Sequence, residues 1–183
     1  MHFHYVVPGD DFSCAGSASA EMKKKLKQLG IPFDIIKRTA VAMYEAEINM
    51  VVHAGGGEAD IDILDDKIVI VMKDHGNGIA DIEKAMQEGF STAPQIVQEL
   101  GFGAGMGLPN MKRNSDFMTI DSKIGVGTTV TMRIDLSKQE SSETDGANGA
   151  AATPVLAANS TNAVFEENGA TVSKNAENPQ GGG

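Results

Sequence analysis

Apolar residues recur at helical spacing in several parts of the chain, and the longest such stretch is 33–54. Within it, Val41, Tyr44, Ile48 and Val51 follow one another at steps of three and four, which is the period of an α-helix. We therefore predict one long helix over 33–54, with these four side chains facing the core. Shorter helices are predicted at 17–29, 81–88 and 106–114.

Other stretches alternate with a period of two or run apolar without interruption, and both patterns predict strands. Ala59, Ile61 and Ile63 alternate with polar residues in 58–64, which indicates a half-buried strand. The run KIVIVMK at 67–73 predicts a central strand that is buried on both faces. Further strands are predicted at 3–7, 117–122 and 128–136.

The order of these elements favours one fold class. The strands cluster instead of alternating regularly with helices. Such an order favours a two-layer α/β sandwich, in which helices cover one face of a mixed, mostly antiparallel sheet.

The composition changes near Ser137, and this change sets the predicted domain boundary. Residues 1–137 form the folded domain, whereas 138–183 are rich in Ala, Asn, Ser, Gly and Glu and poor in large apolar residues. A segment of that composition buries too little apolar surface to stay folded, so we predict a disordered low-complexity tail. Its short apolar clusters at 155–158 and 163–165 leave a docking role open.

Charge and composition narrow the class of protein. The formal net charge of −10 disfavours general nucleic-acid binding, which requires a basic surface. Cys14 is the single cysteine, which excludes an internal disulfide. The chain shows neither a signal-peptide pattern nor an apolar run near the ~20 residues that cross a bilayer. We expect a cytoplasmic protein that contacts neither nucleic acid nor membrane.

The segment LGFGAGMGLPN at 100–110 has glycine at every second position from 101 to 107. Glycine-rich loops that open a helix let backbone N–H groups approach phosphate. The P-loop pattern fails because Lys112 follows Met111 instead of glycine, and the dinucleotide pattern fails because its third glycine falls at Met106 or Leu108. On this segment alone, a flexible linker remains an alternative of equal weight.

Two other segments carry polar side chains suited to a nucleotide. Glu45 and Asn49 are four residues apart and so share one helix face, where Asn can bind Mg²⁺ and Glu can deprotonate a nucleophile. Asp74 ends the KIVIVMK strand ahead of Gly76 and Gly78, and a carboxylate there can accept a hydrogen bond from the adenine amine. An exposed helix face and a plain Asp-Gly turn are the respective alternatives.

Taken in this fixed order, four motifs resemble those of the GHKL (Bergerat-fold) ATPases over about residues 3–136, and within them the anti-sigma-factor serine/threonine kinases and related switch kinases. The motifs are Glu45-x-x-x-Asn49, Asp74-x-Gly76-x-Gly78-Ile79, Gly103-x-Gly105-x-Gly107-Leu108 and Gly127-Thr128-Thr129.

The resemblance implies a role for each matching residue. Glu45 would be the catalytic carboxylate and Asn49 the Mg²⁺ ligand, while Asp74 would bind the adenine amine, helped by Thr129 through a water. The adenine pocket would be shaped by Gly76, Gly78 and Ile79. The phosphates would lie against Gly103, Ala104, Gly105, Met106, Gly107 and Leu108, and residues 91–100 would form a lid over ATP.

The implied function is transfer of the γ-phosphoryl group of Mg·ATP to a serine or threonine of a partner protein. The implied partners are an antagonist domain, a sigma factor or both, and the implied state is a homodimer. The alternative is an ATP-dependent binding module that sequesters a partner with little catalysis, although such a module does not need Glu45. A gyrase-like machine is disfavoured because only the predicted tail follows, and a helper that acts on a partner's histidine stays open.

Three features of the sequence each allow two interpretations. His53 follows Asn49 by four residues, and a role at the helix end is favoured over a catalytic one. Lys112 and Arg113 can reach a phosphate or stabilise the end of their helix. The lysines of 23–27 form either a solvated helix face, which is favoured, or a docking face for an acidic partner.

Overall fold

The computed structural model describes residues 1–9, 14–93, 95, 103–136, 161–166 and 169–171. The elements in chain order are β1 (His2–Pro8), α1 (Ser17–Gln28), α2 (Phe33–His53), β2 (Gly56–Ile63), β3 (Lys67–Asp74), α3 (Ile82–Ala85), α4 (Gly107–Arg113), β4 (Phe117–Lys123), β5 (Gly127–Asp135), β6 (Thr161–Glu166) and β7 (Gly169–Thr171). Every helix and strand predicted within 1–137 is present, with ends displaced by at most three residues.

Within the described residues the strands form one sheet in the order β1-β2-β3-β5-β4-β6-β7. Every neighbouring pair is antiparallel, so the sheet is not mixed. The long helix α2 packs against β1, β2, β3 and β5, while α1 and α4 pack against α2. This architecture confirms the predicted two-layer α/β sandwich.

The sheet buries the face that carries Ile68, Ile70 and Met72, each of which is almost inaccessible to solvent. On the other face of β3, Val69 and Val71 are only partly buried. The prediction that β3 is buried on both faces is therefore wrong. Its apolar run is continuous, but the α2 layer covers only one side of the sheet.

The core face of α2 differs in part from the predicted one. Ile48 and Val51 are buried as expected, but Tyr44 is 42% exposed and Val41 is only partly buried. The buried face consists of Ile35, Ile36, Thr39, Ala42, Met43, Ala46, Glu47, Ile48, Met50 and Val51. Because this face is rotated away from Tyr44, that ring and the residues next to it border the cleft described below.

A buried carboxylate that the hydrophobic pattern did not reveal joins α2 to α1. The side chain of Glu47 is fully buried, and its two oxygens accept hydrogen bonds from the backbone N–H groups of Ala18 (3.0 Å) and Ser19 (2.8 Å). The residue before α1 is Gly16, which has no side chain to cap the helix. Glu47 therefore caps α1 from another helix, in a position that the helix dipole favours.

The segment predicted as a tail also needs a correction. Residues 161–166 and 169–171 form β6 and β7, and β6 extends the sheet by pairing with β4 from Phe117 to Ser122. A strand edge offers unpaired backbone groups to any compatible segment, so a composition that is poor in large apolar residues does not prevent pairing with β4. The rest of 138–183, including 155–158, lies outside the described residues, and the boundary at 137 remains a prediction.

We expect Glu47→Ala to lower the free energy of unfolding by about 3 kcal/mol, because two N–H groups at the start of α1 would be left buried without an acceptor. Urea denaturation followed by circular dichroism measures this loss. The matched control is Glu21→Ala, which removes an exposed ion pair with Lys25 (3.2 Å) and should cost less than about 0.5 kcal/mol. Equal losses in the two variants would contradict the capping role.

Candidate functional site

A cleft of about 900 Å³ opens between α2, the end of β3 and the glycine-rich segment that precedes α4. Polar side chains from three different elements line it, namely Glu45, Asn49 and His53 of α2, Asp74 of β3 and Thr128 of β5. Its apolar wall includes Ile48, Met72, Ile79, Leu108, Ile124 and Val130. An apolar cavity of this size with a few convergent polar groups is typical of a small-molecule site.

Three polar residues of α2 line the cleft at steps of four. Glu45, Asn49 and His53 are successive residues of one helix face, and each is partly exposed to the cleft. Burial lowers the pKa of His53, and the nearby Asp74 carboxylate opposes this shift without cancelling it. The imidazole therefore favours its neutral form, in which one ring nitrogen can accept a hydrogen bond.

Glu45 and Asn49 both reach across to α4. Glu45 Oε1 accepts a hydrogen bond of 2.7 Å from Asn110 Nδ2, a partner that the spacing rules did not single out. Asn49 lies against the first residue of α4, since a Cβ placed on Gly107 would come within 2.9 Å of Asn49 Oδ1. The structure thus brings the predicted acid and amide together with the glycine segment.

One oxygen of the Asp74 carboxylate is hydrogen-bonded within the protein, and the other is available to a ligand in the cleft. Its Oδ1 accepts hydrogen bonds from the backbone N–H groups of Gly76 (2.8 Å) and Thr128 (3.1 Å). Its Oδ2 accepts none from the described part of the chain. The carboxylate is held in one orientation and keeps an acceptor for a ligand.

The structure places Thr128, and not the predicted Thr129, at the cleft. Thr128 lines the cleft, whereas Thr129 belongs to the opposite face of β5, beside Lys73 and Asp121 of the adjacent strands. Successive side chains of a strand point to opposite faces, so two adjacent threonines cannot both serve one site. Thr128 is the member of the pair that a ligand in the cleft can meet.

A buried serine that no sequence motif singled out contacts two residues that line the cleft, Ile79 and Thr128. Ser122 of β4 is buried, and its Oγ accepts a hydrogen bond from Ile79 N–H (2.7 Å) and lies 2.9 Å from Thr128 Oγ1. No short motif contains Ser122, because it meets the site only through strand pairing.

Of the three residues predicted to shape the adenine pocket after Asp74, two line the cleft and one does not. Gly78 and Ile79 line the cleft, and Gly78 has a positive φ of 71° with Lys123 backbone where a Cβ would stand. Gly76 is not part of the lining. It packs against the end of α2, where a Cβ would meet Ala54 at 2.6 Å, so it permits the close approach of two backbones.

All six residues predicted to hold phosphates line the cleft, namely Gly103, Ala104, Gly105, Met106, Gly107 and Leu108. Gly105 has a φ of 73°, and its carbonyl accepts a hydrogen bond from Gly89 N–H (3.0 Å). Of the predicted lid, Ser91 and Thr92 line the cleft, whereas residue 94, residues 96–100 and the following Gly101 lie outside the described residues.

Within the described ranges, no three His, Cys, Asp or Glu side chains converge in a way that could hold a metal ion. Likewise, none of the helices described is both long and apolar enough to cross a membrane.

The family of "Histidine kinase-, DNA gyrase B-, and HSP90-like ATPase" domains matches residues 35–138. The chain therefore belongs to this ATPase family, as the motifs predicted. The matched range contains every predicted site residue, from Glu45 to Thr129.

The relatives that the chain matches include a serine/threonine-protein kinase and anti-sigma F factors. The serine/threonine-protein kinase RsbT of Bacillus subtilis is 34% identical over 108 residues, which cover 57% of this chain and 75% of that protein. An anti-sigma F factor of Caldanaerobacter subterraneus is 37% identical over 110 residues, covering 57% and 73%. That of Bacillus velezensis is 29% identical over 146 residues, covering 76% and 94%.

Among solved structures, the mycobacterial sensor histidine kinase MprB overlaps with a TM-score of 0.43 and 15% identity, over 74% of this chain and 97% of that one.

We expect Gly107→Ala to weaken the binding of Mg·ATP about tenfold, because the new Cβ must displace the Asn49 amide. Calorimetric titration of ATP with and without Mg²⁺ measures the effect. Gly30→Ala is the control, since Gly30 does not line the cleft and a Cβ there meets nothing within 4 Å, so the backbone strain from its positive φ of 73° should leave ATP affinity unchanged. An unchanged affinity in Gly107→Ala would contradict the contact between Asn49 and the start of α4.

Proposed function

We propose that this chain is an ATP-binding anti-sigma regulatory factor that phosphorylates a serine or threonine of a partner protein. The observation that carries the proposal is the single cleft in which Glu45 and Asn49 face the glycine segment while Asp74 keeps a free oxygen. The names of the relatives support the same function, since they include a serine/threonine-protein kinase and anti-sigma F factors. An antagonist domain, a sigma factor or both would be the partners.

The base of ATP fits the end of the cleft beside β3. Asp74 Oδ2 would accept a hydrogen bond from the exocyclic amine of adenine, because Oδ1 is already used by Gly76 and Thr128. Gly78 and Ile79 would lie against the ring, and Thr128 takes the role first assigned to Thr129. Guanine has an acceptor in place of the amine, so the carboxylate would disfavour GTP.

The triphosphate fits the opposite end, along 103–108. Backbone N–H groups can approach phosphate oxygens there because three of the six residues lack a side chain. Asn49 offers the hard oxygen ligand that Mg²⁺ prefers, and the ion keeps several waters, so a site with one protein ligand fits the side chains present. When bound, Mg²⁺ neutralises charge on the phosphate oxygens.

Glu45 would act on the attacking hydroxyl. In the transfer, the hydroxyl oxygen of the partner forms a bond to the γ-phosphorus while the bond between that phosphorus and the β–γ bridging oxygen breaks. ADP leaves, and the hydroxyl proton passes to Glu45. The hydrogen bond from Asn110 engages only Oε1, so the other oxygen of Glu45 remains to accept this proton.

The basic face of α1 is the best candidate surface for the protein partner. Lys23, Lys24 and Lys27 are exposed and make no ion pair with the described residues, whereas Lys25 pairs with Glu21 and lies over the ring of Phe3. On a chain of net charge −10, this patch would attract an acidic surface and raise the association rate. A homodimer that works in the cytoplasm is a further prediction, supported by the family likeness alone.

We expect Glu45→Gln to reduce phosphoryl transfer at least about 100-fold while ATP still binds. The full chain is incubated with γ-labelled Mg·ATP and an extract of the cells that encode it, and labelled protein is then exposed to acid. Serine and threonine phosphoesters survive this step, whereas phosphohistidine does not. Glu83→Gln, an exposed carboxylate of α3, is the control.

Acid-stable label that depends on Glu45 supports the proposed kinase. Acid-labile label would favour a helper acting on histidine, and ATP binding without any label would favour the sequestering module. Full transfer by Glu45→Gln would show that the role assigned to Glu45 is wrong.

The docking face gives a separate expectation. Lys23→Glu combined with Lys27→Glu should slow labelling of the partner about tenfold at low salt, and added salt should slow the wild type toward the same rate. Lys67→Glu combined with Lys73→Glu, on the open face of β3, is the matched charge reversal. A rate that is insensitive to both salt and the α1 reversal would exclude this surface.

A further inference from the structure

The proposed base Glu45 is oriented by a residue of another helix. Asn110 Nδ2 donates to Glu45 Oε1 at 2.7 Å. Within the described residues this is the single hydrogen bond that the Glu45 side chain makes. A carboxylate at a cleft edge otherwise moves among several rotamers, so this one contact holds the Glu45 carboxylate toward α4.

The orientation of the Asn110 amide is itself fixed. Its Oδ1 accepts a hydrogen bond from Arg113 Nη1 (3.4 Å), and Arg113 Nη2 pairs with Glu88. A flipped amide would set its NH₂ group against the guanidinium and its oxygen against the Glu45 carboxylate, and both contacts are repulsive. The outer pair is more than half exposed, so it orients the amide without contributing much binding energy.

The contact belongs to a matched pair between α2 and α4. Asn49 lies against Gly107, and one turn away Glu45 meets Asn110. The first contact serves the phosphate end of the cleft, and the second serves the proposed base. Because they use different residues, one can be altered without the other.

We propose that Asn110 is a positioning residue that holds Glu45 for phosphoryl transfer and takes no part in ATP binding. This inference rests on the proposed function, in which Glu45 accepts the hydroxyl proton. Loss of the amide donor would leave Glu45 free to rotate away from the attacking oxygen. The rate of the chemical step would fall, whereas the affinity for ATP would be kept by Asp74, Asn49 and the glycine segment.

The test uses the full chain with Mg·ATP and measures release of inorganic phosphate, with water as the acceptor, together with ATP affinity by calorimetry. Asn110→Asp keeps the shape of the side chain but replaces the donor by a second carboxylate. Asn114→Asp, at the C-terminal end of the same helix, is the matched control, because the Asn114 side chain donates to the Asn110 backbone oxygen and not to Glu45. Asn110→Gln restores a donor.

We expect Asn110→Asp to lower kcat at least about tenfold with KM and the ATP dissociation constant within about threefold of wild type, and Asn110→Gln to recover most of kcat. Equal losses in Asn110→Asp and Asn114→Asp, or a parallel loss of ATP affinity, would overturn the positioning role. A wild type that does not bind ATP would refute the proposed function itself. An active Glu45→Gln would refute the role of Glu45 and with it that of Asn110.

Discussion

The packing of α2 on the sheet determines where the side chains of Glu45, Asn49 and His53 stand in the cleft. Its buried face includes Ala42, Met43, Ala46 and Met50, and this face fixes the rotation of the helix about its own axis. With that rotation set, the adjoining face of Glu45, Asn49 and His53 must border the cleft. A buried carboxylate, Glu47, additionally ties α2 to α1. The α2 side of the site is therefore a consequence of one helix–sheet interface.

The cleft also depends on glycines at positions where a side chain would clash with neighbouring atoms. Backbone stands where Gly127 would carry a Cβ, since the Asp74 carbonyl oxygen lies 2.2 Å from that position, and Gly107 leaves room for the Asn49 amide. These close contacts bring the end of β3, the start of β5 and the start of α4 together around the cleft. The entropic cost of the glycines is thus offset by a geometry that larger residues could not adopt.

Much of this arrangement was predictable from local spacing. The pair Glu45 and Asn49, the strand-terminal Asp74 and the glycine segment each follow a rule that operates within a few residues, and all of them line the cleft. The same rules failed where contacts between residues that are distant in sequence determine the position of a side chain. Thr129 was predicted where the structure places Thr128, because adjacent residues of a strand lie on opposite faces. The run KIVIVMK gave no sign that one face of β3 lacks a covering layer.

Residues that act across elements left no local signal. Ser122, Asn110 and Glu47 are single polar residues within ordinary strand or helix sequence, and each acquires its role from a partner at least five positions away. The strands β6 and β7 were hidden in the same way, because their composition matches a solvated tail while their pairing depends on the edge of β4. Tertiary contacts, and not propensity, decide such cases.

If Asp74 binds the base of ATP in this cleft, calorimetric titration of ATP and GTP into wild type and Asp74→Asn will reveal it. Asparagine keeps an oxygen for Gly76 and Thr128 but replaces the free acceptor by a donor. We expect wild type to prefer ATP and Asp74→Asn to lose at least about tenfold in ATP affinity, while Asp121→Asn on the open face of β4 loses none. Wild-type affinity for ATP in Asp74→Asn would contradict this role of Asp74.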